Sequence, residues 1–375
     1  MKDRICVVTT TRADYGIFRP LLSRMKKEGF DVTIAVGGTH LKTEYGHTID
    51  EIIKDDYGRI EKFDYLKAGN GRADVAESAS AALLEFSKLL DREKYDLIIV
   101  LGDRYEILSV AHASLIYNIP LAHLHGGEVT EGAIDDSIRN AVTKIAKLHF
   151  PANEQYRQRI IRMGEDPENV YDVGALGVEA INNSNLLSKE ELTKQLGLTS
   201  GRPYIVMTYH PVTAKDDIST DDLEEVLSAV SAMKEFDFII TKSNADMGGQ
   251  DINDRLESFS AEHENVYLYD SLGAIRYLSA VKYAELVLGN SSSGIIEAPS
   301  LKVPTLNIGD RQKGRMRAPS VIDTLPVVSE ITKAVYDILE MKKENRIDYR
   351  NPYGNGDTSG KICRIITEYM STVRE

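Results

Sequence analysis

The sequence of 375 residues has few of the features that mark membrane, secreted or nucleic-acid-binding proteins. Its two cysteines, Cys6 and Cys363, lie in apolar stretches near opposite ends, which predicts buried free thiols in a reducing cytoplasm. No apolar run approaches the roughly 18 residues that cross a membrane, and the first residues read as a buried strand rather than as a signal peptide. The formal net charge of -13 argues against a non-specific nucleic-acid binder, because such proteins are normally basic. A local cluster of Arg and His can nevertheless bind an acidic substrate.

Several motifs of cofactor binding and nucleophilic catalysis are also absent from the sequence. No G-x-G-x-x-G follows a strand, which disfavours NAD and FAD, and there is no GxxxxGK[ST] phosphate loop. Cysteine and histidine do not cluster with zinc spacing, and no G-x-S-x-G nucleophile elbow occurs. The chemistry that remains is proton transfer, and we predict that it uses no bound cofactor and no metal.

Short apolar runs rich in Val, Ile and Leu alternate along the chain with longer amphipathic segments. This rhythm predicts parallel strands with helices on both faces. It stops near Gly174, passes a polar stretch at residues 182–185 and restarts near Pro203. We therefore predict an α/β protein of two Rossmann-like domains, at residues 1–178 and 179–357. A C-terminal helix at residues 358–375 is expected to pack back on the first domain.

The individual elements follow from the same runs. Strands are expected at residues 5–9, 31–36, 97–101, 120–124, 148–151, 170–173, 203–207, 238–241, 266–269, 286–288 and 305–308. Helices are expected at residues 17–27, 73–90, 105–117, 135–146, 154–163, 223–233, 251–259, 272–281, 294–300, 329–342 and 361–373. Ligands of open α/β sheets bind beyond the carboxyl ends of the strands, so polar residues at those ends are the site candidates.

Two strands of the first domain stop at acid and base groups. One of them is followed by Asp103, which we interpret as a proton-transfer group, although an N-cap of the next helix is an alternative. The next strand runs into His125 and, after two glycines, Glu128, for which a plain glycine turn is the alternative. His123 and His125 alternate on one face, because strand side chains repeat every two residues. One of the two can be a hydrogen-bonded core histidine.

Three charged residues, Asp135, Asp136 and Arg139, lie on the helix predicted to follow. Asp135 and Arg139 are four residues apart and would share one helix face, which favours a functional role for Asp135. Compensation of the helix dipole is the alternative, and it accounts well for one of the two aspartates. Near the start of the chain, Arg12 follows the first strand, where a Rossmann domain commonly faces its ligand. Its planar guanidinium suits a phosphate, which favours a binding role. The alternative is that Arg12 lies in an exposed polar turn without a function.

The second domain carries a serine-rich loop at residues 289–294, between a strand and a helix. Small residues and bare N–H groups at a helix N-terminus form an anion site. Glu297 is expected in the first helical turn, and no serine or threonine three residues earlier forms a capping box with it. Hydrogen bonds from ribose hydroxyls explain this carboxylate better, so the loop predicts nucleotide binding. Three further strand ends at the same sheet edge carry polar residues, namely His210, Asn244 and Arg311.

Seven short motifs occur in an order that is specific to one family. They lie at residues 11–15, 102–104, 126–128, 132–139, 210–213, 289–294 and 309–315. As a set that covers nearly the whole chain, they resemble the hydrolysing UDP-N-acetylglucosamine 2-epimerases of sialic acid synthesis and their relatives in legionaminic acid synthesis.

The resemblance implies a fold of the glycosyltransferase B type with the active site in a cleft between two domains. It also implies a UDP-sugar substrate and a homodimer or homotetramer. The implied reaction eliminates UDP and then hydrates a 2-acetamidoglucal, with proton transfer by Asp103 and Asp135; we add His125 and Glu128 as catalytic candidates. The substrate-binding residues, including Arg139 and Gly294 from the motifs, are Arg12, Arg104, Arg139, His210, Asn244, Ser291, Ser292, Gly294, Glu297 and Arg311.

One position departs from the family's pattern. The sialic-acid members usually carry Glu where this chain has His125, and one extra residue near Glu131 lengthens the loop that follows. A neutral histidine can still exchange a proton near pH 7. Ile17 also stands where many members carry Lys. We interpret these changes as signs of a different sugar, such as a 2,4-diacetamido-6-deoxy hexose.

The predicted function is therefore hydrolysis and C2 epimerisation of a UDP-sugar for sialic or legionaminic acid synthesis. A glycosyltransferase of the same fold, which would need an acceptor, and a non-catalytic nucleotide-sugar sensor are alternatives. A non-hydrolysing epimerase is a third alternative, but its first turn usually reads Arg-Pro-Glu, whereas this chain has Arg12, Ala13 and Asp14.

Overall fold

A computed structural model of the protein describes residues 3–43, 46–69, 71–129, 134–211, 221–243 and 249–373. The chain divides into two compact units, one of residues 1–180 together with 353–375 and one of residues 181–352. Each unit is built on a six-stranded parallel sheet with helices between successive strands, which confirms the predicted α/β class. In the described part of the chain, no helix is both long enough and apolar enough to cross a membrane.

The first sheet has the strand order β3-β2-β1-β4-β5-β6. Its strands are β1 (Arg4–Thr9), β2 (Asp31–Gly37), β3 (Arg59–Phe63), β4 (Leu97–Leu101), β5 (Leu121–Leu124) and β6 (Leu148–Phe150). The helices that precede or follow them are α1 (Arg12–Glu28), α2 (Ile49–Asp55), α3 (Arg72–Arg92), α4 (Tyr105–Ile116), α5 (Ile134–Ile145), α6 (Glu154–Arg162) and α7 (Leu176–Asn182). The central strands are continuous apolar runs because both faces of a parallel sheet are covered by helices.

The second sheet repeats this arrangement in the order β12-β11-β10-β7-β8-β9. Its strands are β7 (Tyr204–Thr208), β8 (Asp237–Thr241), β9 (Val266–Tyr269), β10 (Val287–Gly289), β11 (Thr305–Ile308) and β12 (Val321–Thr324). Its helices are α8 (Lys189–Leu196), α9 (Asp221–Ala232), α10 (Gly249–Glu262), α11 (Gly273–Tyr283), α12 (Ser292–Ile296) and α13 (Val328–Lys343). The last helix, α14 (Thr358–Val373), returns to the first unit, where its residues Ile362, Cys363 and Ile366 share a core with α1.

Strand order reverses between β1 and β4 in the first sheet and between β7 and β10 in the second. At such a switch point the connections leave in opposite directions, so a crevice opens beyond the carboxyl ends of the two strands. The segments that follow β1 and β4 are therefore where a ligand is expected in the first unit. In the second unit, a ligand is expected at the segments that follow β7 and β10.

The structure corrects several predicted elements. No strand forms at residues 170–173, where only Val170 makes an isolated bridge to His149. Strands β3 and β12 were not predicted, because both lie at sheet edges and carry polar residues that a central strand would exclude. Helices α2, α7 and α8 were also missed. Both cysteines are buried free thiols, as predicted.

Candidate active site

The turn after β1 is fixed by a capping box at the start of α1. Thr11 is the N-cap, its hydroxyl accepts a hydrogen bond from the backbone N–H of Asp14, and the Asp14 carboxylate accepts bonds from the backbone N–H groups of Thr10 and Thr11. Helix α1 consequently begins five residues earlier than predicted, at Arg12. The Arg12 side chain is 73% exposed and lies 3.4 Å from Glu51, so its guanidinium is accessible, and its role in substrate binding stays a prediction.

Arg104 follows β4 and is braced by a buried carboxylate. Its Nε donates to Glu106 Oε1 at 2.6 Å, and Glu106 is completely buried in the first turn of α4. Burial opposes the charge on Arg104, but the negative charge of Glu106 outweighs it and raises the pKa of Arg104. Glu106 Oε2 has no hydrogen-bond partner among the described residues. Sequence reasoning missed Glu106, because a glutamate in a first helical turn looks like ordinary dipole compensation.

Asp103 lies beside a buried arginine and is not a helix cap. The N-cap of α4 is Arg104, and Asp103 instead accepts a hydrogen bond from Arg139, whose side chain is only 5% exposed. Burial raises the pKa of Asp103, and the charge of Arg139 opposes that rise. The carboxylates of Asp135 and Glu128 raise it further. A carboxyl group whose pKa is shifted by burial and by specific charged neighbours is a candidate for proton exchange.

On its own helix, Arg139 contacts Asp136 rather than Asp135, the residue four positions earlier. The guanidinium reaches Asp103, Asp136 at 3.4 Å, and the backbone carbonyl of Glu128 at 2.8 Å. Its side chain extends towards Asp103, at the end of β4. On the helix itself it therefore contacts Asp136, three positions earlier. Asp135 makes no hydrogen bond or ion pair in the described ranges, yet lies close enough to Asp103 to raise its pKa.

The two histidines of β5 have different environments. His123 is fully buried in the strand; its Nε2 lies 2.8 Å from the carbonyl of Gly102 and its Nδ1 lies 3.2 Å from Thr143 Oγ1. Burial lowers the pKa of His123 to about 3. His125 lies just beyond the strand, in a left-handed conformation with φ 63°. Its Nδ1 is 2.8 Å from Glu128 Oε1. The core histidine is therefore His123, whereas His125 pairs with Glu128 just beyond the strand, and its catalytic role stays a prediction.

A second arginine, Arg159, contacts the turn that follows β5, and nothing in the sequence indicated this contact. Arg159 on α6 lies 3.3 Å from Asp136 Oδ2 and 3.4 Å from the carbonyl oxygen of Glu128. Arg139 donates to that carbonyl as well. Two guanidinium groups, both paired with the carboxylate of Asp136, thus hold the backbone carbonyl of Glu128. No motif contains Arg159, which lies 31 residues from Glu128.

In the second unit, the serine-rich loop packs tightly against β11. Ser291 is the N-cap of the short helix α12, with its hydroxyl accepting from the N–H of Ser293, and Ser292 is its first residue. A Cβ on Gly294 would stand 2.7 Å from Thr305 Cγ2. Thr305 Oγ1 also donates to the Gly294 carbonyl at 2.8 Å. The glycine at this position therefore lets the loop approach the sheet.

Asn290 ties three strand ends together. Its Oδ1 accepts from the backbone N–H of His210 at 2.7 Å, and its Nδ2 donates to the His210 carbonyl at 2.8 Å. Its own carbonyl accepts from Arg311 at 3.2 Å and from Gln312 at 2.9 Å. The ends of β7, β10 and β11 are thereby joined, and His210 Nδ1 reaches Ser243, after β8, at 3.0 Å. Asn244 lies outside the described residues.

Glu297 lies after α12, not in its first turn. The helix begins at Ser292, two residues before the predicted start, and ends at Ile296. Ser293 Oγ donates a hydrogen bond to the Glu297 carboxylate, which is a partner four residues away rather than a capping box. Burial raises the pKa of Glu297, so its carboxyl group holds a proton more readily than an exposed one. The serine loop nevertheless brings Ser291, Ser292 and Glu297 into one short segment.

Comparisons with known proteins identify the family and the fold of the chain. A family model described as UDP-N-acetylglucosamine 2-epimerase matches residues 23–367. The chain is 38% identical, over 91% of its length and 88% of the other's, to a GDP/UDP-N,N'-diacetylbacillosamine 2-epimerase (hydrolyzing) of Campylobacter jejuni. It is 39% identical, over 98% and 95%, to the polysialic acid biosynthesis protein P7 of Escherichia coli. A crystal structure of a Neisseria meningitidis UDP-GlcNAc 2-epimerase shares the fold, with a TM-score of 0.77, 15% identity, and 97% and 100% coverage.

Proposed function

Because the chain belongs to the UDP-N-acetylglucosamine 2-epimerase family, we propose that it hydrolyses a UDP-2-acetamido sugar while inverting C2. The observation that carries the proposal is the cluster around Asp103. A carboxyl group with a raised pKa stands near two further carboxylates, Glu128 and Asp135. The cluster lies at the switch-point edge of a sheet, where such folds bind substrates.

The proposed reaction has two balanced steps. In the elimination, a base removes the proton from C2, the C–H electron pair forms the C1=C2 double bond, and the C1–O bond breaks with its electrons passing to UDP. In the hydration, the oxygen of water bonds to C1 and gives a proton to the enzyme, while an acid returns a proton to the opposite face of C2. The products are UDP and the free 2-epimeric sugar.

The leaving diphosphate needs positive charge and N–H donors as the C1–O bond breaks, because preorganised donors stabilise developing charge. Arg12 and Arg104 supply the charge in the first unit. In the second unit, the proposed nucleotide-binding residues are His210, Asn244, Ser291, Ser292, Gly294, Glu297 and Arg311. We assign Arg139 a positioning role instead of substrate binding, since its buried guanidinium holds Asp103 and the turn at Glu128.

For the sugar, we propose UDP-2,4-diacetamido-6-deoxy hexose first and UDP-N-acetylglucosamine second. The Campylobacter relative is named for diacetylbacillosamine, which supports the first. The Escherichia coli relative is named for polysialic acid biosynthesis, which supports a role in nonulosonic (sialic or legionaminic) acid synthesis. We further propose that the enzyme acts in the cytoplasm as a homodimer or homotetramer.

The test is release of free UDP from a panel of UDP-sugars, with the product analysed by mass spectrometry. Asp103→Asn and Asp135→Asn are expected to abolish nearly all UDP release while leaving UDP binding intact. Asp56→Asn is the matched control, because Asp56 is an exposed carboxylate paired with Lys26. Wild-type turnover in either active-site variant would contradict the role of that residue.

The same assay in D2O separates the alternatives. Deuterium at C2 of a free sugar supports the elimination and hydration. An intact UDP-sugar product would identify a non-hydrolysing epimerase, and transfer to an acceptor without deuterium at C2 would identify a glycosyltransferase. UDP binding without turnover of any sugar in the panel would identify a sensor.

A further inference from the structure

We propose that His125 exchanges a proton with the substrate through Nε2, and that Glu128 is a positioning residue that fixes the imidazole tautomer. The proposal rests on the proposed function and gives His125 and Glu128 different roles in it. Inversion at C2 needs two proton carriers, because a single carrier on one face would restore the original configuration. Asp103 or Asp135 supplies one of them, and His125 supplies the other.

The tautomer follows from the hydrogen bond inside the pair. His125 Nδ1 lies 2.8 Å from Glu128 Oε1. An ionised carboxylate only accepts hydrogen bonds, so Nδ1 carries the proton. In the neutral ring the lone pair then belongs to Nε2. That atom is buried and has no hydrogen-bond partner among the described residues. A buried ring nitrogen without a partner costs free energy, and a substrate group would satisfy it.

The backbone of the turn after β5 is strained at His125, the residue that carries this ring. His125 has φ 63°, a region that a non-glycine residue rarely occupies. Such strain persists only where the surroundings enforce it. Here the N–H of His125 donates to the Phe150 carbonyl at 3.1 Å. Gly127, with φ 78°, fits closely on α6, since a Cβ there would stand 2.6 Å from the Tyr156 carbonyl.

The Glu128 side of the pair is held just as firmly. Its backbone carbonyl accepts hydrogen bonds from Arg139 at 2.8 Å and Arg159 at 3.4 Å. The backbone of Glu128 is therefore fixed while its carboxylate points to His125. A carboxylate that orients an imidazole and stabilises its protonated form is the arrangement by which histidine bases are prepared elsewhere. The geometry thus gives Glu128 an indirect role.

The chain contains a second pair that serves as a control. His47 and Asp50 are also three residues apart, their Nδ1 and Oδ2 atoms are 3.1 Å apart, and His47 has φ 46°. That pair is exposed, with 42% and 73% of the side chains accessible, against 20% and 18% for His125 and Glu128. An exposed ion pair of this kind contributes little to stability, because solvent screens it. Spacing and the positive φ of the histidine are thus matched, whereas the acidic residue is an aspartate and the pair is exposed.

The kinetic test is a double-mutant cycle of UDP release with His125→Gly and Glu128→Gln. Glycine suits the positive φ, so His125→Gly removes the imidazole without backbone strain. We expect it to lower kcat about 100-fold or more with little change in KM, and Glu128→Gln to lower kcat by less. In the double variant, Glu128→Gln should have no further effect, because its partner is gone. Multiplicative losses would overturn the proposal, since Glu128 would then act on the substrate directly.

The corresponding cycle of His47→Gly and Asp50→Asn is expected to leave kcat unchanged. A second measurement is independent of activity. In protein with 15N-labelled histidine, the ring resonances of His125 are assigned by their loss in His125→Gly. At a pH where the ring is neutral, we expect the proton on Nδ1; a proton on Nε2 would overturn the proposal. If the wild type releases no UDP from any UDP-sugar, the proposed function fails, and the tautomer still decides whether Glu128 orients His125.

Discussion

Acidification is expected to destabilise the first unit through the buried histidine of β5. His123 is 0% exposed, and burial lowers its pKa to about 3. In the unfolded chain the same ring titrates near a pKa of about 6.5. Between these two values the unfolded state binds more protons than the folded state. The stabilising contribution of a neutral His123 is therefore complete above the unfolded pKa and is lost as pH falls towards 3.

The size of the effect follows from the two pKa values. Lowering the pH from about 8 to about 5 charges almost every unfolded His123 ring and few folded ones, which reduces the free energy of unfolding by about 2 kcal/mol. His149, its neighbour in the sheet register, is also buried with a lowered pKa and contributes with the same sign. Asp103 has a raised pKa and contributes with the opposite sign.

A difference between two proteins isolates His123 from these other groups. In His123→Gln the amide nitrogen can still donate to the Gly102 carbonyl, the bond that His123 Nε2 makes at 2.8 Å, but nothing titrates. We expect urea unfolding followed by circular dichroism to show a pH-dependent loss about 2 kcal/mol smaller in the variant than in the wild type. Equal losses in the two proteins would refute the reasoning, whatever their absolute stabilities.

Two further predictions concern the site itself. Gly294→Ala places a Cβ 2.7 Å from Thr305 Cγ2, so the serine loop must shift; we expect UDP affinity by titration calorimetry to fall about 10-fold. Gly177→Ala is the control, because nothing lies within 4 Å of its added Cβ, and its UDP affinity should equal that of the wild type. An unchanged UDP affinity in Gly294→Ala would contradict the prediction. Arg139→Gln removes the cation that lowers the pKa of Asp103. The pKa of Asp103 should rise further, and the acid limb of the pH–activity profile should move to higher pH. If this limb stays where it is in the wild type, Asp103 is not the group that titrates in it.

The fold was largely predictable because buried parallel strands are short, continuous apolar runs. The strands after Asp96 and at 266–269 were expected at the observed residues. The edge strand Arg59–Phe63 was not, because its outer side contacts solvent and tolerates charged residues. The start of α1 was also misplaced. Its first turn is formed by the capping box of Thr11 and Asp14, which contains none of the apolar periodicity that predicts a helix.

The candidate site was predictable only in part. Polar residues at strand ends were expected near one another because parallel strands end at a common edge, and the structure places Asp103 and Glu128 within electrostatic reach. Their partners were not predictable. The pair of Arg139 and Asp103 joins residues 36 positions apart. It depends on the direction in which a long side chain leaves a helix, and residue spacing alone does not determine that direction.

Burial separates two kinds of residue that motifs treat alike. Arg12 and Arg139 both belong to the motifs of the family, but the first side chain is 73% exposed and the second 5%. An exposed guanidinium can meet a phosphate, whereas a buried one is already committed to protein carboxylates and carbonyls. Asn290 behaves like Arg139, because its side chain is buried and hydrogen-bonded to both backbone groups of His210. Arg139 in the first unit and Asn290 in the second therefore hold the segments beyond neighbouring strands together. Replacing either residue is expected to disturb several of the proposed ligand-binding residues at once.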